Sequence, residues 1–228
     1  MVAPDKEIAE SVNSTPQQEP VSQLRWQGEI ESVQCRAWVW RYIMHNRTHH
    51  HLGFNLFVKG EAGGREGRFI VAVSDTQHTK LRFRIGDVFR GTAWPCIKAK
   101  HEIADYYRAG GFKAVSRANE QAAPPGPPFM DLLPPTDVFA RRGARMLDAK
   151  LWRKQCFTCM WANKSAAEIE FKFGKVTHYR KETFCYGPRS CPLYDMGPPR
   201  QVPYFDSFPS LDEGWMDDLC TEQRGDED

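Results

Sequence analysis

The stretch HLGFNLFVKGEAGGREGRFIVAVS (51–74) decides the fold class, because apolar and polar residues alternate on both sides of a glycine-rich segment. The alternating apolar residues are Leu52, Phe54, Leu56 and Val58 in the first run, and Phe69, Val71 and Val73 in the second. A period of two is the pattern of a strand that buries one face. Glycines between two such runs indicate a turn. The stretch therefore predicts two antiparallel strands joined as a hairpin.

The segments on either side of this hairpin carry further strand signals. Upstream, residues 30–39 form one extended run rich in β-branched and aromatic residues. Downstream, FRIGDVFRGTAWPCI (83–97) begins with a Gly-Asp turn and resumes the pattern. GGFKAVSR (110–117) adds a fifth run, after a helical turn predicted at EIADYYR (102–108). Five short strands within residues 21–117 are typical of a small barrel or sandwich, so the sequence predicts a mainly β protein.

The strand order, the Gly-Asp turn leading into VFRGTAW (88–94) and the closing ADYYRAGGFKAV (104–115) resemble the OB-fold family over roughly residues 24–117. The segment SDTQHTKLRF (74–83) is too short for the long helix that many members carry between strands three and four. The resemblance implies a five-stranded barrel that binds nucleic acid on its second and third strands. The flanking loops, between strands one and two and between strands four and five, would complete the binding face.

This implied face selects a set of aromatic and basic residues. Aromatic rings stack on bases while arginine and lysine follow the phosphates, so both kinds are expected together in a groove for a single strand. Phe57 has the opposite parity to Phe54, so we expect Phe54 in the core and Phe57 on the outer face. The expected nucleic-acid-binding residues are Arg41, Arg47, Phe57, Lys59, Arg65, Arg68 and Lys98.

In the C-terminal half, two short-spaced cysteine pairs flank a second predicted hairpin. The pairs lie in QCFTCMWAN (155–163) and FCYGPRSCP (184–192), and the runs AEIEFKF (167–173) and VTHYRKETF (176–184) alternate between them. Two pairs of thiols brought together by a hairpin can supply the four tetrahedral ligands of Zn²⁺. The arrangement resembles a zinc ribbon whose second pair is more widely spaced than the usual two-residue knuckle. The expected ligands are Cys156, Cys159, Cys185 and Cys191.

The same four cysteines are compatible with three kinds of site. A structural zinc site is the first, because so short a segment needs a staple to be stable. The second is an iron–sulfur cluster held by the same four cysteines, since the Cys191-Pro192 pair is similar to ferredoxin ligands. The third is redox chemistry at Cys156 and Cys159 alone, although the strand–helix setting of a redox C-x-x-C motif is absent.

HNRTHHH (45–51) crowds four histidines into one segment. Adjacent histidines on a strand point to opposite faces, so only His49 and His51 could share a metal ion. The alternative is a polar loop that contacts phosphate through Arg47 and its neighbours.

Charge divides the chain into two basic bodies between acidic ends. The formal net charge is +2 for the whole chain, but +8 for residues 21–117, +7 for 137–200 and −8 for 201–228. Basic folded segments indicate either a polyanion binder or a surface that is simply solvated. A flexible acidic end could compete with nucleic acid for the basic groove, or serve only solubility. The expected segments are a disordered arm (1–20), the barrel (21–117), a proline-rich linker (118–136), the zinc ribbon (137–205) and the acidic tail (206–228).

The remaining features concern location and catalysis. The chain shows neither a signal-peptide pattern nor an apolar run of the length that spans a bilayer, so we expect a cytoplasmic protein with reduced thiols and no membrane contact. The motifs GxxxxGK[ST], HExxH and GxSxG are absent from the sequence, so we do not expect an enzyme.

Taken together, these features predict a nucleic-acid-binding module, for single-stranded DNA or RNA, with a structural zinc ion. The pairing of barrel and ribbon resembles accessory factors of DNA and RNA metabolism in prokaryotes. Two alternatives stay open. One is an iron–sulfur protein, and the other is a protein–protein adaptor that uses Trp38 and Trp40 on one face of the first strand.

Overall fold

The computed structural model describes residues 22–42, 46–119, 126–171, 176–198 and 214–224. The predicted N-terminal arm therefore lies outside the described residues. So do residues 120–125 of the predicted linker and most of the predicted acidic tail. The described chain is mainly β, as the sequence predicts.

Five strands in the first half form a partly closed ring. β1 pairs antiparallel with β2 on one side and with β4 on the other, β2 pairs with β3, and β4 with β5. A parallel contact between Val71 and Tyr106 joins β3 to β5 and completes the order β1-β2-β3-β5-β4, which returns to β1. The strands are β1 (Leu24–Tyr42), β2 (Asn46–Ala62), β3 (Arg65–Val73), β4 (Val88–Pro95) and β5 (Tyr106–Ser116).

A short helix, α1 (Asp75–Leu81), connects β3 to β4. It begins at a capping box in which the Ser74 hydroxyl accepts a hydrogen bond from the Gln77 N–H while the Gln77 side chain bonds back to the Ser74 N–H. The helical turn predicted at residues 102–108 is wrong, because β5 already begins at Tyr106. The aromatic pair Tyr106-Tyr107 favours a strand there.

A β-bulge at Leu52 overturns part of the predicted alternation in β2. Arg36 pairs with Gly53 and Ala37 with His51, so Leu52 has no partner on β1 and its side chain is 45% exposed. Gly53 has a φ of +114°, and a Cβ there would collide with the Val73 carbonyl oxygen. Because a bulge shifts the parity of a strand by one, His49 and His51 face the side that Leu52 was expected to face.

The C-terminal half adds three strands and three helices to the ring. β7 and β8 form the predicted antiparallel hairpin, and β7 pairs in parallel with the outer part of β1, Trp38–Tyr42. The ring and the hairpin thus share one eight-stranded sheet. The elements are α2 (Thr136–Arg142), β6 (Arg145–Met146), α3 (Ala149–Leu151) with a π-helical turn (Trp152–Cys156), β7 (Ala162–Phe171), β8 (Val176–Cys185) and α4 (Gly214–Thr221).

Two clusters of buried apolar residues form the core of the described structure. The larger fills the ring with residues such as Ile30, Phe54 and Leu56, and continues to Tyr186. The smaller lies outside the ring, where Phe57 packs against Trp152 and the cysteine-bearing loops. In the part of the chain that the structure describes, no helix is long and apolar enough to cross a membrane.

Candidate functional site

Four of the five cysteines in the C-terminal half, Cys156, Cys159, Cys185 and Cys191, line one small cavity of about 20 Å³. Cys156 ends the π-helical turn, and the Cys159 N–H donates to the Cys156 carbonyl oxygen at 3.0 Å, which folds the first pair into a tight loop. Cys185 ends β8, and the Cys191 N–H donates to the Pro188 carbonyl oxygen at 3.1 Å. All four thiols are free of disulfide bonds. The hairpin therefore brings both cysteine pairs to the wall of the same cavity.

The four thiols share a cavity, but their sulfur atoms do not have tetrahedral metal-site geometry. Among the described residues, no group of three or more His, Cys, Asp or Glu side chains already has the arrangement of a metal site. Cys156, Cys159, Cys185 and Cys191 nevertheless share the cavity wall. A χ1 rotation moves a cysteine sulfur atom without moving the backbone, so thiols that share a cavity can close around an ion when it binds.

Local hydrogen bonds prepare two of these sulfur atoms for negative charge. The Gly187 N–H donates to Cys185 Sγ at 3.3 Å. Burial raises the pKa of Cys185, while this N–H and the Arg145 guanidinium oppose the rise. Burial likewise raises the pKa of Cys159 to about 11, and the N–H groups of Trp161 and Phe129 act against it. Donors of this kind favour thiolates, the form in which cysteine binds metals.

At Cys156 every contribution disfavours the thiolate. Burial and then the three neighbouring thiols raise the pKa of Cys156 to about 12. Four thiolates this close would repel one another. A divalent cation among them would reverse that repulsion.

Three arginines brace the wide loop between Cys185 and Cys191, and sequence reasoning missed all three. Arg142 Nε donates to the Tyr186 carbonyl oxygen at 2.6 Å and Arg145 to that of Pro188 at 2.8 Å. Arg224 donates to the Gly187 carbonyl oxygen at 2.6 Å. These contacts hold three consecutive carbonyl groups, those of Tyr186, Gly187 and Pro188, in the five-residue loop. The wide spacing is thus supported by partners that are distant in sequence.

Helix α4 connects this loop to the ring. Asp217, 3% exposed, pairs with Arg47 at 2.6 Å and accepts hydrogen bonds from the Met146 N–H and, at 3.0 Å, from the Tyr194 hydroxyl. The predicted acidic tail (206–228) is therefore not made of exposed charges alone, because Asp217 is buried. Its burial follows from Arg47, a cation that would otherwise lie in the core without this partner.

Three residues of the expected nucleic-acid face are buried. Arg41, 3% exposed, pairs with Glu182 at 2.9 Å, and Arg47 with Asp217. Phe57 lies on the outer side of the ring, as its parity predicts, but it is only 8% exposed. The rings of Phe157 and Trp152 cover it at centroid distances of 5.2 Å and 6.2 Å. In this conformation none of the three offers a surface to a strand.

The other four expected residues are exposed. Lys59, Arg65 and Lys98 form no ion pair within the described residues. The Arg68 guanidinium donates three hydrogen bonds to the Glu31 carboxylate, so its charge is largely compensated. The cations available to a phosphate in this set are therefore Lys59, Arg65 and Lys98.

His49 and His51 are brought together, but in the interior. Their rings lie 6.4 Å apart, and His49 Nδ1 is 2.9 Å from the Tyr186 hydroxyl. Burial, followed by Arg47 and other nearby cations, lowers the pKa of His49, and burial lowers that of His51 to about 4. Within the described residues no third ligand joins them, so the pair forms a neutral, half-buried contact.

Trp38 and Trp40, expected to offer a protein contact, are half-buried on the outer face of β1. Trp38 stacks on His50 of the neighbouring strand with a centroid distance of 5.0 Å. Nearby, His101 contacts the Tyr179 ring at 4.2 Å. The face is aromatic and partly open.

Comparison of the chain with family models, with curated proteins and with solved structures finds no match.

Proposed function

We propose that the protein is a single-stranded nucleic-acid-binding module whose C-terminal segment is held in place by one structural zinc ion. The observation that carries the zinc part is the convergence of Cys156, Cys159, Cys185 and Cys191 on one cavity. Four cysteine thiolates in two pairs are the ligands of closed zinc sites. The N–H donors and the arginine beside them stabilise those thiolates. Bound there, zinc would join the hairpin to the turn before β7, and it would supply stability without taking part in chemistry.

The cavity favours a single ion over an iron–sulfur cluster. Its volume of about 20 Å³ is close to that of one small sphere. A cluster of several iron and sulfide atoms would require the loops at Phe129 and Tyr194 to move apart. The iron–sulfur alternative uses the same four thiols, so it is decided by which metal the purified protein contains.

The nucleic-acid part is supported by the ring and its surface charge. The order β1-β2-β3-β5-β4, closing on β1, is compatible with the OB-type barrel that the sequence resembles, a fold used to bind oligonucleotides, and this supports the proposal. Its outer surface presents the exposed cations Lys59, Arg65 and Lys98, which form no ion pair within the described residues. Unpaired surface cations attract a polyanion by releasing its condensed counterions. Phe57 is not part of this proposal, because Trp152 and Phe157 cover it.

Salt dependence tests this function. We expect a 20-residue single-stranded oligonucleotide to bind about tenfold or more weakly at 200 mM than at 50 mM salt, if about three phosphates are neutralised. The double variant Lys59→Ala/Arg65→Ala should weaken binding and flatten the salt slope. The control Lys80→Ala/Lys150→Ala removes two exposed cations elsewhere. Binding that ignores salt, or equal losses in both double variants, would contradict the proposal.

A further inference from the structure

A groove of about 650 Å³ opens on the outside of the ring, away from the cysteines, and residues from all five ring strands line it. Its volume is within the range of about 300–1,000 Å³ that is usual for small-molecule sites. The charged side chains on its wall are Arg25, Glu61, Glu66, Arg90 and Lys113, and all five are exposed. None of them forms an ion pair within the described residues.

The register places four of these charges in one row across the sheet. Lys113 lies directly opposite Arg90, which lies opposite Gln27. Gln27 in turn lies opposite Glu61, which lies opposite Glu66. The row therefore has two cations at one end, two carboxylates at the other and an amide between them.

This row breaks the pairing rule of β-sheets twice. Like charges directly opposite one another on neighbouring strands are destabilising, whereas opposite charges are favourable. Exchanging Arg90 with Glu61 would give two favourable pairs, yet the chain keeps the cations and the carboxylates apart. Positions that violate a local rule without a compensating contact are expected at functional sites.

We propose that this groove binds one nucleotide, with its phosphate at Arg90, Lys113 and Arg25 and a base amino group at Glu61 and Glu66. Guanidinium and ammonium groups are strong partners for phosphate oxygens. Carboxylates accept hydrogen bonds from amino groups such as the N4 amino group of cytosine. Arg90 and Glu61 lie two strand spacings apart, about 10 Å along the sheet, a span that one nucleotide covers. The inference rests on the proposed function and adds to it a nucleotide site whose wall residues Gly60 and Glu66 directly follow Lys59 and Arg65 in the sequence.

Two matched ligands test each end of the groove. Calorimetric titration should show cytidine monophosphate binding at least about tenfold more tightly than cytidine, because the nucleoside lacks the phosphate. It should also bind about fivefold or more tightly than uridine monophosphate, whose O4 would face the carboxylates. Equal binding of the monophosphate and the nucleoside would overturn the phosphate assignment. Equal binding of the two monophosphates would overturn the base assignment.

Substitutions in the groove test whether cytidine monophosphate binds there. Arg90→Ala should weaken cytidine monophosphate about tenfold, and Glu66→Gln should reduce the preference for cytidine over uridine monophosphate. Lys80→Ala, which removes an exposed cation on α1, is the control and should change neither. All residues involved are exposed, so the variants should remain folded, and a thermal melt checks this. Equal effects of Arg90→Ala and Lys80→Ala would overturn the site.

A competition experiment with an oligonucleotide tests whether the groove binds a free nucleotide or a nucleotide within a strand. If a strand uses the groove, cytidine monophosphate competes with a 12-residue oligocytidylate and Arg90→Ala weakens both ligands. If the groove serves a free nucleotide, the oligonucleotide binds without competition. Oligonucleotide binding with no mononucleotide binding would reject this inference and leave the proposed function standing. Mononucleotide binding without oligonucleotide binding would reject the proposed function and leave the nucleotide site standing.

Discussion

The ring and the C-terminal segment are held together by different interactions. The ring has an apolar interior, with Ile30, Phe54 and Leu56 all 0% exposed, and a nearly continuous ladder of paired strands. The C-terminal segment instead depends on arginines that bind carbonyl groups, on buried ion pairs and on four thiols. Apolar contacts tolerate changes of shape, whereas a buried charge that loses its partner does not. The C-terminal segment should therefore be much more sensitive to single polar substitutions.

The largest effect is expected at Asp217. Asp217→Ala leaves Arg47 buried without this carboxylate and removes the acceptor of the Met146 N–H, so it should lower the free energy of unfolding by about 3–5 kcal/mol. The control is Asp137→Ala, which breaks an exposed pair with Arg141 and should cost less than about 1 kcal/mol. Urea unfolding of both variants measures the difference. Similar costs would mean that α4 does not hold the C-terminal segment.

A smaller loss in the free energy of unfolding is expected when the pH is lowered. The pKa of His51 is about 4 in the folded protein because burial disfavours its charged form, against a usual value of 6.5. The unfolded chain therefore takes up the proton first, and stability falls as the pH drops from about 6.5 to about 4, by at most about 3 kcal/mol. His51→Gln should reduce this fall in urea unfolding. His101→Gln, which removes one exposed imidazole, is the control, and an unchanged slope in His51→Gln would contradict the burial of His51.

The smallest effect is expected on the outer wall of the ring. Arg68 is 75% exposed in its side chain and pairs with Glu31, so Glu31→Gln should cost less than about 1 kcal/mol. The cost should disappear in high salt because exposed charges are screened. A loss at Glu31 comparable to that at Asp217 would remove the contrast between the two regions.

The sequence predicted much of the strand content, and the reason is periodicity. Both hairpins follow from alternation that continues up to a glycine turn, and the two cysteine pairs meet because they flank the second hairpin. The outward parity of Phe57 also follows from this alternation.

The sequence could not reveal contacts between distant segments. Nothing near Phe57 indicates that Trp152 and Phe157 cover it, and nothing near Asp217 indicates that Arg47 lies within reach. The bulge at Leu52 depends on the close approach of Gly53 to the Val73 carbonyl group, so alternation alone misplaced that side chain. Strand parity would have placed Arg90 and Lys113 on the outer wall, but their alignment with Glu61 requires the register.

Metal content of the native protein tests the central claim most directly. We expect one zinc ion per chain by elemental analysis and no visible absorption. Cys156→Ser should lose the metal and the order of the C-terminal segment, since the binding free energy of such a site is largely folding free energy. Cys96→Ser, at a cysteine outside the cavity, should retain the metal. Iron with visible absorption would establish the cluster instead, and a metal-free protein with an unchanged melt in Cys156→Ser would contradict the metal centre altogether.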